Sequence, residues 1–525
     1  MDQGTGATTA GGTDAPPFGG VIYQVYPRSF RDGDGDGVGD LTGIRAGLDH
    51  LAWLGVDAVW SSPLYRSPMA DFGYDVADHC DVDPVFGTLA DLDALIADAE
   101  ARGLQVWLDF VPNHTSDQHP WFVAARSSRE DPHRDWYVWR DPAPDGGPPN
   151  NWIRHFADEP AWTFDERTGQ YYLHHFLREQ PDVNWDVPEL REAQLDVLRF
   201  WMDRGVRGFR ADVVHLIGQD RSYPDDPPGV DHHDGRGDFH HHPSTRDHLR
   251  AIRKVLDERG AIIVGESYLE QPEALLAHVG DEAQHLSFVF HLLSAPWDAG
   301  EWAHRIRQVD ATFVPAGAWP SWALSNHDRP RLATRVGSEA RARVAATIQL
   351  TLRGVPCIYQ GDELGLEDAV VPPERVVDPG GRDGCRAPIP WSSEPGAGWP
   401  SSAWLPLPPD AEARAVAVQE ADPASTANLY RRLLSLRRAE PTLVRGSQRV
   451  LGAEDGVPDG VLGLSRSDGA RELVTLAEMS GRTVALDRWA SGWVVLLDSA
   501  GAGAREGSPF DGTLPGDTAL VLGRV

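Results

Sequence analysis

The chain is 525 residues long with a mass of 57.5 kDa, enough for one large domain and one or two smaller ones, and 41% of it is hydrophobic, which excludes wholesale disorder. A formal net charge of −31 argues against nucleic acid or an anionic membrane as partner, because phosphate binding needs basic patches, and favours a neutral or cationic ligand. Three cysteines (Cys80, Cys357, Cys385) without metal spacing, and no apolar run of membrane length, lead us to expect a reduced, soluble, cytoplasmic protein.

In chain order, residues 1–18 are rich in Gly, Thr and Ala and read as a disordered lead-in without a signal-peptide core. Apolar, β-branched or aromatic runs then recur as strand candidates at 21–26, 57–60, 105–111, 208–214, 261–265, 286–293, 322–325 and 355–359. Amphipathic stretches such as 48–54 and 89–101 separate them. Eight such units predict a (β/α)8 barrel, whose functional residues sit on the loops after the strands' C-terminal ends. Two intervals break the rhythm. Residues 114–186 are too long for one loop and rich in Trp, Tyr, Pro and Asn, so they read as an inserted domain. Residues 446–525 alternate short apolar runs with Gly-rich turns, which suggests a C-terminal antiparallel β domain after a helix at 426–438. The barrel is thus expected to span 19–113 and 187–445. The Pro-, Asp- and His-rich stretch 219–247 reads as solvated surface.

Three of the strand candidates run into a carboxylate: Gly208-Phe209-Arg210-Ala211-Asp212, Val264-Gly265-Glu266 and Ser325-Asn326-His327-Asp328. Arg210 and Asp212 are two apart on a strand and so share a face. Each alone is compatible with a buried ion pair. All three at strand ends suit glycoside hydrolysis, in which one carboxylate attacks carbon and another delivers and removes a proton.

Together with Asp109-Phe110-Val111-Pro112-Asn113-His114, these segments, in this order, resemble glycoside hydrolase family 13, the α-amylase family, over about residues 20–440. Within it, Val21 to Phe30 and Gly381 to Pro388 resemble the α-glucosidases and oligo-1,6-glucosidases. The resemblance implies Asp212 as nucleophile, Glu266 as general acid and base, and Asp328 as the carboxylate that holds the sugar's hydroxyls at carbons 2 and 3. Arg210 would orient Asp212 and keep it ionised, and His114 and His327 would bind hydroxyls of the same glucose. Asp71 would bind the terminal glucose at carbons 4 and 6, Tyr74 would lie under its ring, and Arg386 would pair with Asp71 to close the pocket. The implied activity is a retaining, exo-acting α-glucosidase on short α-glucosides such as maltose. An oligo-1,6-glucosidase, or a glucosyl transferase or isomerase using the same intermediate, is the alternative.

The stretch from Asp32 to Asp40 carries acids at alternate positions and resembles the start of an EF-hand loop, but Gly43 stands where a bidentate Glu is needed. The family offers a closer fit: a structural calcium site using Asp32, Asp34, Asp36, the Val38 carbonyl and Asp40. Oxygen ligands suit Ca²⁺, with Mg²⁺ as the other hard cation. The chemistry itself needs no cofactor.

Overall fold

The computed structural model describes residues 15–155, 157–228, 242–378, 380–400 and 403–524. Most of the expected lead-in therefore lies outside the described residues. Its last residue does not hang free: the Phe18 ring packs on Trp107 at 5.0 Å.

Eight parallel strands close into a barrel: β1 (Ile22–Val25), β2 (Ala58–Ser61), β3 (Gln105–Phe110), β4 (Gly208–Ala211), β5 (Ile262–Gly265), β6 (Leu286–Val289), β7 (Pro320–Ala323) and β8 (Val355–Tyr359). Neighbours in the ring are neighbours in sequence, as right-handed βα units require. Alternate residues point inward, and Ile22, Ala58, Trp60, Trp107, Val264 and Phe288 share one interior cluster. The partner face, including Phe209, packs against the helices in the main core. Gly208 begins β4 because nothing larger fits, since a Cβ there would lie 2.4 Å from the Trp107 ring.

Helix α1 (Leu41–Leu54) starts seven residues earlier than the amphipathic pattern suggested. Gly43 and Gly47 look like breaks in sequence, but they are close approaches: a Cβ would meet the Arg31 carbonyl at 1.9 Å and the Phe30 ring at 2.5 Å. The Asp40 side chain caps this helix through the Gly43 N–H.

Between β3 and the helix Pro188–Asp203, the chain builds a three-stranded antiparallel sheet, Trp139–Arg140, Trp162–Asp165 and Gln170–Leu173. Its aromatic core recruits Tyr223. Beyond this contact Asn151 bonds the Asp226 backbone twice, accepting from its N–H at 2.8 Å and donating to its carbonyl at 3.0 Å. Residues 219–226 are thus part of the inserted layer, correcting the solvated-surface expectation for them. Residues 229–241 lie outside the described residues. The C-terminal sheet is antiparallel, in the order Ser447–Leu451, Val461–Ser467, Glu472–Glu478, Ala519–Arg524, Trp493–Asp498.

Candidate active site

The C-terminal ends of the strands open into a cavity of about 500 Å³ lined by Asp71, Tyr74, His114, Asp212, Glu266 and Asp328. Arg210 stands beneath it in the barrel interior, fully buried. Its Nη1 donates to Asp212 Oδ1 and to Asp109 Oδ1, each at 2.7 Å, and its Nη2 pairs with Glu266 Oε2. One guanidinium thus holds three carboxylates.

Local backbone fixes where these groups point. The Asp212 N–H donates to the Phe110 carbonyl and the Glu266 N–H to the Ala211 carbonyl, each at 2.8 Å, so both residues continue the ladder as strand pairing ends. Val213 then turns the chain at φ 34° and ψ 41°. A β-branched residue there is strained by about 1–3 kcal/mol. The loop carrying Asp71 is strained too, with φ of 66° at Met69 and 48° at Phe72. Buried Asp75 holds it, accepting from the Ala70 and Asp71 N–H groups at 2.9 Å each.

The pocket's two ends differ in charge compensation. Burial pushes the Asp212 carboxyl well above the ordinary range; Arg210 opposes this, and Glu266, Asp109 and Asp328 add to the rise. Asp109 is likewise raised by burial against Arg210, to about 7. Arg210 is shared three ways, so its hold on the Asp212 charge is divided. At Asp328, burial also acts upward but loses: the carboxyl is held well below its usual range by His327 and by the Arg382 and Arg386 guanidiniums. His327 is itself lowered to about 3 by burial, hence neutral at pH 7, so the lasting cause is the two arginines.

His327 and His114 line up for hydrogen bonding rather than charge. Gln24 donates to His327 Nδ1 at 2.7 Å, which leaves the proton on Nε2, facing the Tyr74 hydroxyl at 2.8 Å. That hydroxyl donates in turn to Asp109 Oδ2 at 3.2 Å. Burial lowers His114 to about 4.

Arg386 does not pair with Asp71. Its Nη2 bonds Asp328 Oδ1 at 2.9 Å and its Nε the His327 carbonyl at 2.8 Å. The residue that reaches Asp71 is Arg382, at 2.7 Å, and it also touches Asp328 at 3.1 Å and Asp378 at 2.7 Å. Arg382 lies in the same family-like stretch, one helical turn earlier, and only the turn at Asp383–Arg386 decides which of the two enters the pocket. Gln180 was not singled out either. Its amide nitrogen lies 3.2 Å from Asp71 Oδ2 and 3.1 Å from His114 Nε2. It comes from the inserted segment, where no local pattern marks it.

In the acidic loop, Asp32, Asp34 and Asp40 bring a carboxylate oxygen each within 4.8 Å of the others. Asp36 is not part of this cluster and instead accepts from the Val38 N–H at 2.7 Å. Burial raises the Asp40 carboxyl, with Asp34 and Asp32 adding to the rise against the Gly43 and Gly33 N–H groups. Three converging carboxylates fit a hard cation.

The catalytic-domain profile of the α-amylase family matches residues 24–446. The chain belongs to this family. It is a glycoside hydrolase. A probable α-glucosidase of Rhizobium meliloti (strain 1021) is 43% identical over 498 residues, 88% of this chain and 89% of that protein. An oligo-1,6-glucosidase of Parageobacillus thermoglucosidasius is 35% identical over 511 residues, 88% of this chain and 90% of its own. The crystal structure of the α-glucosyl transfer enzyme XgtA superposes with a TM-score of 0.88 at 38% identity, covering 97% of this chain and 99% of that one.

Proposed function

We propose that the protein is a retaining, exo-acting α-glucosidase that removes glucose from the non-reducing end of short α-glucosides such as maltose. The observation that carries this is one cavity holding Asp212 and Glu266 on a shared guanidinium, with Asp71 and Asp328 joined across its far side by Arg382.

Asp212 Oδ attacks the anomeric carbon while Glu266 protonates the glycosidic oxygen; the C–O bond to the leaving sugar breaks and a covalent glucosyl ester forms. Glu266, now a carboxylate, takes a proton from water, whose oxygen attacks the same carbon and frees Asp212. The cluster around Arg210 has more carboxylate than cation, so it takes up a proton as a coupled unit, and the reactive form carries that proton on Glu266. Asp328, held ionised, binds hydroxyls and stabilises positive charge on the sugar. Neutral His114 binds hydroxyls, His327, whose ring nitrogens are engaged by Gln24 and Tyr74, braces Tyr74 under the ring, and Asp71 holds carbons 4 and 6. Arg382 blocks extension past the terminal glucose, which makes cleavage exo-acting.

The names of the relatives keep a second reading in view: an α-1,6 glucosidase or a glucosyl transferase or isomerase using the same ester. Glucose release from maltose, isomaltose, sucrose and trehalose, with the first-formed anomer followed by NMR, tests both. Maltose cleavage with α-glucose appearing first is expected. β-Glucose first would overturn the double displacement.

Asp32, Asp34 and Asp40 would hold Ca²⁺, with Mg²⁺ as the other hard cation and Asp36 and the Val38 carbonyl as further ligands, and the ion would be structural. A cytoplasmic location is supported by three unpaired cysteines. Among the described residues no helix is long and apolar enough to cross a membrane.

A further inference from the structure

The loop that carries Asp71 turns sharply around it. Met69 sits at φ 66°, Phe72 at 48° and Gly73 at 111°. The glycine adopts this freely, whereas an aromatic residue holds it only where its surroundings over-determine the turn. Asp75 fixes the loop on the near side, through the Ala70 and Asp71 N–H groups. On the far side the only candidate hold is the Phe72 ring itself.

That ring lies against two guanidiniums and an indole. The Arg28 Cζ is 5.6 Å from its centroid, the Arg386 Cζ 5.7 Å, and the Trp404 ring 5.7 Å. Arg386 is already bonded to Asp328 and to the His327 carbonyl. Arg28 is placed differently. It comes from the helical turn Pro27–Phe30 after β1, and its Nε is buried with no hydrogen-bond partner among the described residues. Its Cζ also stands 4.8 Å from the Trp404 ring. Trp404 is pinned in turn by its Nε1, which donates to Ser29 Oγ at 3.0 Å. Burial lowers the Arg28 pKa, with Tyr26, Asp83 and Asp36 acting the other way, and a guanidinium keeps its proton at neutral pH. A charged group laid over two aromatic faces with an unbonded Nε is held by cation–π attraction.

We propose that Arg28 is a positioning residue for glucose binding: with Trp404 it clamps the Phe72 ring, and the clamp keeps the strained loop turned so that Asp71 meets the hydroxyls of the terminal glucose. The proposal rests on the exo-acting reading above and deepens it. Arg28 does not line the glucose cavity, so whatever it contributes to binding passes through Asp71.

The experiment compares Arg28→Met, Arg28→Lys and Phe72→Leu with the wild type on maltose, on p-nitrophenyl α-glucoside and on the 6-deoxy analogue of the latter. Arg28→Met is expected to raise KM for maltose about fivefold with kcat within about twofold, the size of one cation–π contact whose loss weakens substrate and transition state alike. The preference for p-nitrophenyl α-glucoside over its 6-deoxy analogue should fall by the same factor, because the second substrate lacks a hydroxyl that Asp71 holds. In an Asp71→Asn background Arg28→Met should add less than about twofold, and Arg28→Lys, which keeps the charge without the planar face, should recover part of the KM. An Arg28→Met that costs as much on the 6-deoxy analogue, or as much in the Asp71→Asn background, does not act through Asp71 and overturns the assignment. So does an unchanged KM. Phe72→Leu removes the ring instead of the cation, so the same comparisons stand if Arg28→Met folds poorly. Calorimetric binding of glucose needs no turnover. If the wild type releases no glucose from maltose yet glucose binding weakens about fivefold in Arg28→Met, the α-glucosidase reading fails and the clamp stands.

Discussion

The two ends of the glucose cavity use the same residue types to opposite effect. At the cleavage end one guanidinium, Arg210, faces three carboxylates, Asp109, Asp212 and Glu266. At the closed end two guanidiniums, Arg382 and Arg386, face Asp71, Asp328 and Asp378. Both ends are buried, so charge compensation decides protonation. At the under-compensated end Asp109 and Asp212 are both pushed up by burial, in keeping with the acid–base role proposed for it. At the better-compensated end Asp328 and Asp378 are both held low despite burial, and a fixed anion suits hydroxyl binding.

The strongest way to break this contrast is to remove the cleavage carboxylates. Asp212→Asn and Glu266→Gln should each lower kcat by at least about 10²–10⁴-fold with near-normal melting, measured by glucose release and calorimetry. Equal rates for Asp212→Asn and wild type would end the nucleophile assignment.

At the closed end, Arg382→Lys should raise KM for maltose by roughly 10–100-fold, because an ammonium cannot hold Asp71, Asp328 and Asp378 in a planar fork. Arg386→Lys should leave Asp71 in place and cost less. If the two variants exchanged these effects, the pairing described above would be wrong.

A third change sharpens the proton count. Burial raises Asp109 to about 7 beside Arg210 and Asp212, so its charge should shape the pH profile of kcat/KM. Asp109→Asn removes a negative charge, so the remaining acid loses its proton more easily. The alkaline limb should move to lower pH by about one unit. The same group bears on stability with a fixed sign. Its folded pKa is raised above the unfolded value, so its contribution is full below about pH 4 and is lost as pH rises through about 7. Asp362, also raised to about 7 by burial, acts in the same direction.

The smallest effect on catalysis belongs outside the cavity. Chelation should remove about 2.7 kcal/mol if the acidic loop is held at a hundredfold excess of Ca²⁺ over Kd, seen as a lower melting temperature with unchanged KM at low temperature. An unmoved melting temperature would mean an empty acidic turn.

Much of this was legible in one dimension. All eight barrel strands were located, β8 at its observed bounds, because parallel strands buried on both faces read as apolar runs. The strand-end acids Asp212, Glu266 and Asp328 were legible for the same reason: a charge that ends such a run stands out. Less visible were Gly43 and Gly47, whose place inside α1 depends on Arg31 and Phe30 pressing against it. Nineteen tryptophans are many for sugar stacking alone, and core packing is the expectation for most of them; Trp107, Trp152, Trp185, Trp201, Trp302 and Trp322 are indeed fully buried core.

The sequence by itself showed the barrel through periodicity and the three acids through strand-end charge, both local properties, and the family through the resemblance of its motifs. Tertiary structure alone decided how Arg210 is divided among three carboxylates, that Arg382 and not Arg386 reaches Asp71, and that Gln180 enters from the inserted segment. Each of these depends on contacts between residues far apart in the chain, and burial sets the energies of those contacts.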